Sequence, residues 1–129
     1  MNKVVHFEIP ADDVGRAGKF YKEVFGWDIQ KIAMPGVGDY FIVKTVETDE
    51  NQMPKEVGAI NGGMIKREKT GETTIITIDV ENLDGHLKKI EENGGTIVSP
   101  KRPIGDMGLY AEVTDTEGNV FGVWQDLKK

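Results

Sequence analysis

The chain has 129 residues, 29% of them charged and none of them cysteine, and its formal net charge at pH 7 is -6. This length fits one domain of ordinary size, and the lack of cysteine excludes disulfides, thiolate zinc sites and a cysteine nucleophile. The acidic balance argues against a nucleic-acid partner, and no apolar run reaches the roughly 18 residues of a membrane span. Because no apolar segment typical of a signal peptide precedes the first predicted strand, we expect a cytoplasmic protein.

The first half of the chain is predicted to fold in the order strand, helix, strand, strand, strand. Residues 4–9 alternate between apolar and polar side chains, which is typical of a strand with two different faces. Apolar residues at helical spacing then begin at Val14, and Gly26 is placed to end the helix. Three further strands are predicted at residues 27–32, 40–46 and 58–65, with a breaker-rich turn at residues 34–39 and a polar loop at residues 47–56.

The second half repeats this order at an offset of 69 residues, which places Leu83 at the position of Val14 and Gly95 at that of Gly26. A strand at residues 73–80 and the second helix are followed by strands at 96–99, 109–114 and 120–125, with a predicted loop at residues 100–108. We therefore predict one domain, residues 1–129, built from module one (1–65), a linker (66–72) and module two (73–129). Each module alone is too short to bury much core.

Three segments of this pattern resemble a known superfamily. They are VHFEIP at residues 5–10, FYKEVFGW at residues 20–27 and DTEGNVFGVWQ at residues 115–125. Together with the doubled unit, they resemble the glyoxalase, bleomycin-resistance and extradiol-dioxygenase proteins of the vicinal oxygen chelate superfamily. The resemblance implies an α+β fold in which two tandem βαβββ modules form a half-open barrel around a small-molecule cavity that often holds a divalent metal. It also implies a homodimer, since members often pair.

The metal ligands of such proteins come from the first and last strands of each half. By this resemblance His6 occupies the first ligand position, and Glu8, two residues further along the strand, shares its face. The other three positions fall on Ile75, Gly62 and Gly122, none of which offers a ligand. One or two protein ligands make a poor cage for a catalytic metal, so we expect no cofactor. A divalent Zn, Ni, Mn or Fe ion on His6 and Glu8 is the alternative, and both residues are also candidates for acid and base catalysis.

Glycine at two ligand positions leaves room for a pocket. Met64 and Trp124, each two residues beyond such a glycine, are predicted to line it. Tyr40 or Phe41 and Tyr110, from the third strands, are predicted as further walls; filling of the core is the competing interpretation. We predict a small-molecule-binding, glyoxalase-like protein with a degenerate metal site. Two alternatives stay open: a metal-dependent lyase or isomerase of the glyoxalase I type, and a ligand-sequestering dimer like the bleomycin resistance proteins.

Overall fold

A computed structural model describes residues 1–34 and 38–128 of the chain. Within this part, the elements follow one another as strand, helix and three strands, twice over. The first set comprises β1 (Val4–Ala11), α1 (Val14–Phe25), β2 (Asp28–Met34), β3 (Gly38–Lys44) and β4 (Gly62–Lys66). The second comprises β5 (Ile75–Asp79), α2 (Leu83–Glu92), β6 (Thr96–Ile104), β7 (Gly108–Thr114) and β8 (Val120–Asp126). The predicted order of elements is therefore confirmed.

Both helices begin and end through local side-chain and backbone chemistry. Asp13 caps α1 by accepting a hydrogen bond from the Arg16 backbone N–H, and Asn82 caps α2 in the same way through Gly85. Gly26 ends α1 with a φ of 74°, in the left-handed region that glycine enters without strain. Neither helix of the described residues has the length and hydropathy needed to cross a membrane.

The chain divides into two compact units, residues 6–74 and residues 1–5 with 75–129. In the first unit the strand order is β2, β3, β4, β1, with β4 parallel to β1 and antiparallel to β3. In the second unit the order is β5, β8, β7, β6, with β8 parallel to β5 and antiparallel to β7. Each unit thus contains a four-stranded sheet of the same connectivity.

Each unit has its own apolar core between one face of its sheet and its helix. In the first unit Ile9, Ala11, Val43 and Met64 are buried, and side chains of α1 such as Tyr21 pack against them. In the second unit, Leu83 and Leu87 of α2 are buried within a cluster completed by Val80, Ala111, Val113 and Val123. The opposite face of each sheet, here called the far face, carries the polar and aromatic residues considered below.

Strand β6 differs from the prediction. The strand breakers Pro100, Pro103 and Gly105 predict a loop at residues 100–108, but β6 continues to Ile104. The strand lies at the edge of its sheet, where a missing proline N–H is tolerated, and its register shifts twice between Ile97 and Arg102. Of the predicted turn at residues 34–39, residues 35–37 lie outside the described residues, and Met34, Gly38 and Asp39 belong to β2 and β3.

Candidate functional site

Three side chains on the far face of the first unit form one hydrogen-bonded cluster. The Nε2 atom of His6 lies 2.9 Å from Oε1 of Glu8 and 3.1 Å from the Tyr40 hydroxyl. The same Tyr40 hydroxyl donates a hydrogen bond to Oε1 of Glu8. His6 and Glu8 come together because they are two residues apart on β1 and therefore point to the same side of the sheet. The structure thus unites three of the predicted site residues, with Tyr40 reaching over from β3.

One oxygen of the Glu8 carboxylate lacks a hydrogen-bond partner among the described residues. Its Oε1 atom meets both His6 and Tyr40, whereas Oε2 is buried and has no hydrogen-bond partner among the described residues. The side chains of His6 and Glu8 remain 31% and 20% exposed. A buried acceptor without a partner is uncommon in folded proteins and costs free energy. Because the terminal torsion of a glutamate is soft, a small rotation of the carboxyl group can turn this oxygen toward an incoming donor.

The strand register identifies the glycine that makes room for this cluster. Gly63, rather than Gly62, pairs with Glu8, and Gly122 pairs in the same way with Thr77 in the second unit. A Cβ atom on Gly63 would overlap the Tyr40 hydroxyl. The lack of a side chain at residue 63 therefore lets the phenol lie across β4 and reach Glu8.

Because Gly63, and not Gly62, pairs with Glu8, Met64 does not lie on the predicted wall of the pocket. Met64 pairs with Ile9 instead of a far-face residue, is fully buried and belongs to the core beneath α1. Successive residues of a strand point to opposite faces, so an error of one position in the alignment reverses the face of every side chain. We therefore leave Met64 out of the site.

The corresponding face of the second unit carries different chemistry. Tyr110 leans over Gly122, as Tyr40 leans over Gly63, but its hydroxyl donates to Glu112 on the same strand at 3.0 Å. Trp124 pairs in register with Tyr110 and lies partly exposed on this far face. Thr77 occupies the place of Glu8; it is 2% exposed, and its hydroxyl has no hydrogen-bond partner among the described residues.

The donor set of this chain does not fit the catalytic metal that the superfamily resemblance implies. No group of three or more His, Cys, Asp or Glu side chains within residues 1–34 and 38–128 is arranged to hold a metal ion. His6 and Glu8 are already bonded to each other and to a phenol, and the other three positions that the resemblance assigns to ligands are Gly62, Ile75 and Gly122, none of which offers one. Catalytic zinc sites ordinarily use three protein ligands. We derive no chemistry through a metal.

Sequence reasoning did not identify Glu112 and Arg102, which both lie on the far face of the second unit. Arg102 pairs in register with Tyr110, and its Cζ atom lies 5.8 Å from the centroid of the tyrosine ring. It was assigned to a loop because of the neighbouring prolines. Glu112, by contrast, was detectable, since it follows Tyr110 by two residues on a predicted strand and therefore shares its face.

Comparison of sequences identifies the family to which the chain belongs. Residues 3–39 match the family model described as bleomycin resistance protein-like N-terminal. A glyoxylase-like domain-containing protein of Didymella fabae is 30% identical over 121 residues, which cover 90% of this chain and 88% of that relative. The chain belongs to the glyoxalase, bleomycin-resistance and dioxygenase superfamily, whose members bind small molecules.

Other relatives are longer proteins. The anthracycline biosynthesis protein DnrV of Streptomyces peucetius is 25% identical over 130 residues, covering 92% of this chain and 45% of the relative. CFP32 of Mycobacterium tuberculosis, named as a candidate glyoxylase, is 26% identical over 118 residues, covering 92% of this chain and 43% of the relative. The chain thus spans less than half the length of these curated relatives.

Solved structures confirm the predicted α+β fold of two βαβββ modules. A hypothetical protein of Bacillus halodurans, BH1468, superposes with a TM-score of 0.72 at 14% identity, over 99% of this chain and 96% of that one. Methylmalonyl-CoA epimerase from Mycobacterium tuberculosis superposes with a TM-score of 0.66 at 12% identity, over 95% of this chain and 87% of that one. At these identities the likeness shows the fold alone.

Proposed function

We propose that this chain is a metal-independent member of its superfamily that binds a small, partly apolar organic ligand at His6, Glu8 and Tyr40. The observation that carries the proposal is the Glu8 carboxylate, whose Oε1 is held by two neighbours while Oε2 is buried without a partner. A ligand with an N–H or O–H group would supply the missing hydrogen bond. Bonds between a donor and an ionised carboxylate are about twice as strong as those between neutral groups, so a protonated amine is the best match.

The surroundings of this cluster favour an organic ligand over a bare ion. Tyr40 pairs in register with Ile32 of β2, and Gly63 pairs with Ile42 of β3. These aliphatic residues share the far face with the polar cluster, because residues paired across a sheet project to the same side. Small-molecule pockets are usually lined by apolar side chains with a few polar groups among them.

Two alternatives remain, with less support. A glyoxalase I type lyase or isomerase with a divalent metal on His6 and Glu8 is disfavoured by the donor set described above. A ligand-sequestering function like that of the bleomycin resistance proteins is compatible with the same polar cluster, and the match to that family model covers His6 and Glu8.

We also propose a cytoplasmic homodimer; sedimentation that gives the monomer mass at every concentration would contradict the dimer.

The ligand class is tested with three probes of similar size. Benzylamine offers a charged donor, benzyl alcohol a neutral donor and anisole none, and binding is followed by amide chemical shifts of the isotope-labelled protein. We expect affinity to fall in that order, with the largest shifts in β1, β3 and β4. The variant Glu8→Gln is expected to lose about tenfold or more for benzylamine, in line with a lost charged hydrogen bond. The matched variant Glu112→Gln should keep the wild-type affinity.

Three results would overturn the proposal. Equal affinity for all three probes, unchanged in Glu8→Gln, would mean that Glu8 does not recognise the ligand. Strong thermal stabilisation by Zn, Ni, Mn or Fe salts that disappears in His6→Ala would establish a metal site instead. Turnover of a hemithioacetal only after metal addition would likewise support the lyase alternative.

A further inference from the structure

A groove lies between α1 and the sheet of the first unit, on the helix side of that sheet. Its volume is about 480 Å³. Ile29 of β2 and Phe41 of β3 form its floor, and Gly15 and Gly18 belong to its helical wall. Phe41 directly follows Tyr40 on β3, so these two side chains point to opposite faces of the sheet. The groove is therefore separate from the polar cluster that contains Tyr40.

Packing against the sheet does not require glycine at residues 15 and 18. A Cβ on Gly18 would lie 3.7 Å from the nearest atom of Ile29, which is an ordinary van der Waals distance. The nearest atom to a Cβ on Gly15 would be Oδ1 of Asp13, at 3.5 Å. Alanine would fit at both positions, and it is the better helix former. The effect of the glycines is to leave the groove open, because a side chain at residue 18 would project over its floor.

Three of the residues that line the groove are lysines. They are Lys19 and Lys22 of α1 and Lys31 of β2, whereas Glu23 is the one acidic residue among the described lining residues. Lys19 lies 4.0 Å from the Glu23 carboxylate, and Lys31 lies 3.4 Å from that of Asp39. Lys22 forms no ion pair within residues 1–34 and 38–128. On a chain whose net charge is -6, this groove is a locally cationic region that complements an anion.

The floor of the groove restricts the kind of anion. Ile29 and Phe41 are half-buried and offer apolar surface beside the lysines. A purely inorganic anion would leave this surface in contact with water, whereas an aliphatic chain would cover it favourably. A lysine ammonium is a point charge on a flexible stem, so it can meet an anionic head group without the fixed geometry that arginine demands. The combination matches an anion that carries a short aliphatic chain.

We propose that the groove between α1 and β2 binds an amphipathic anion with a short aliphatic chain, such as an aliphatic carboxylate. Lys22 attracts the head group, and the chain lies on Ile29 and Phe41 beside the two glycines. The proposal does not rest on the function proposed for His6 and Glu8, since the two sites share no residue and lie on opposite faces of one sheet.

Hexanoate is the test ligand, with 1-hexanol as its neutral match and acetate as the head group alone, titrated at constant ionic strength. Amide chemical shifts of the full chain follow binding. We expect shifts in α1 and β2, with contacts between hexanoate and the methyl groups of Ile29, and tighter binding of hexanoate than of either comparison probe. The variant Lys22→Gln should weaken hexanoate about two- to fivefold, in line with an exposed ion pair. Lys88→Gln removes an exposed lysine from α2 instead and should leave the affinity unchanged.

Gly18→Ala tests the groove itself. The added methyl group would lie at contact distance from Ile29 and would take up part of the groove. Hexanoate should bind about fourfold more weakly, which corresponds to one excluded methylene contact. The urea midpoint of this variant should not fall, because alanine favours the helix. Weaker binding without loss of stability therefore separates blockage of the groove from damage to the fold.

The outcomes also separate this proposal from the first. Hexanoate shifts in α1 and β2 that persist in Glu8→Gln support a distinct site, whatever that variant does to benzylamine. Equal losses in Lys22→Gln and Lys88→Gln would reduce the effect to general electrostatics and overturn the proposal. So would equal affinity for hexanoate and 1-hexanol, unchanged affinity in Gly18→Ala, or hexanoate shifts confined to β1 and β4.

Discussion

The Tyr40 hydroxyl occupies the space into which a side chain at residue 63 would project, so Tyr40 and Gly63 depend on each other. The absence of a Cβ at residue 63 lets the tyrosine cross β4, and the tyrosine then bonds Glu8 on the next strand. The same phenol lies 3.1 Å from His6, the residue that the superfamily resemblance assigns to metal coordination. Mutations of the tyrosine and of the glycine should therefore have non-additive effects on the free energy of unfolding.

Gly63→Ala is expected to destabilise the protein by roughly 1–3 kcal/mol, the usual cost of adding a methylene to a packed site. The added Cβ overlaps the Tyr40 hydroxyl, so the ring or the strand must shift. Urea denaturation followed by circular dichroism measures the change. The double variant Gly63→Ala with Tyr40→Ala should show non-additivity of at least about 0.5 kcal/mol, as expected for residues in contact.

Gly15 offers a control within the same unit. It lies in α1 with space for a Cβ, whose nearest heavy atom would be Oδ1 of Asp13 at 3.5 Å. Gly15→Ala should therefore raise the free energy of unfolding by up to about 1 kcal/mol through helix propensity. A stability loss in Gly15→Ala equal to that in Gly63→Ala would show that the overlap with Tyr40 is not the cause.

Tyr40→Phe removes one of the two donors to Oε1 of Glu8 while keeping the ring. We expect a loss of about 1–3 kcal/mol of unfolding free energy, because the half-buried Glu8 carboxylate then retains only His6. Tyr21→Phe is the matched control, since its ring packs on Trp27 and its hydroxyl forms no hydrogen bond among the described residues. Equal stability of both variants in urea would rule out a structural contribution of the Tyr40 hydroxyl.

The sequence predicted the order of elements because periodicity and helix-ending glycines are local signals. The end of α1 at Gly26 follows directly from a glycine placed after the last apolar residues of the helix. The far-face placement of His6 and Glu8 likewise requires only the alternation of one strand. These features need no knowledge of which strands are neighbours.

Features that depend on pairing between strands could not be predicted from such local sequence signals. Met64 was assigned to the pocket because the sequence matched Gly62 with Gly122, whereas the pairing partners of β1 and β5 select Gly63. Arg102 was missed because prolines are local breakers, and only the edge position of β6 makes them compatible with a strand. Residue types alone do not reveal either relationship.

Asp115 gives a prediction about pH. The Asn119 side chain and the backbone N–H groups of Asn119 and Glu117 donate to its carboxylate and hold its pKa below the ordinary 3.8. Since the pKa is lower in the folded state, ionised Asp115 adds stability above its unfolded pKa. That contribution is lost as the pH falls through the folded value. Carboxyl carbon NMR titration should give a midpoint below 3.8, and Asn119→Ala should raise it. An unchanged midpoint in that variant would contradict the assigned cause.

Thr77→Val tests whether the unpartnered hydroxyl of the second unit is a cost to the fold. Thr77 is 2% exposed, and its Oγ1 has no hydrogen-bond partner among the described residues. Replacing this hydroxyl by a methyl group of similar size should raise the free energy of unfolding by roughly 1 kcal/mol, because a buried polar atom without a partner is unfavourable. Thr45→Val is the matched control, since the Thr45 hydroxyl donates to the Ile60 carbonyl at 2.8 Å. That variant should lose about 1–2 kcal/mol. Urea denaturation of both variants distinguishes the two cases, and a stability loss in Thr77→Val comparable to that in Thr45→Val would show that the Thr77 hydroxyl is satisfied in solution.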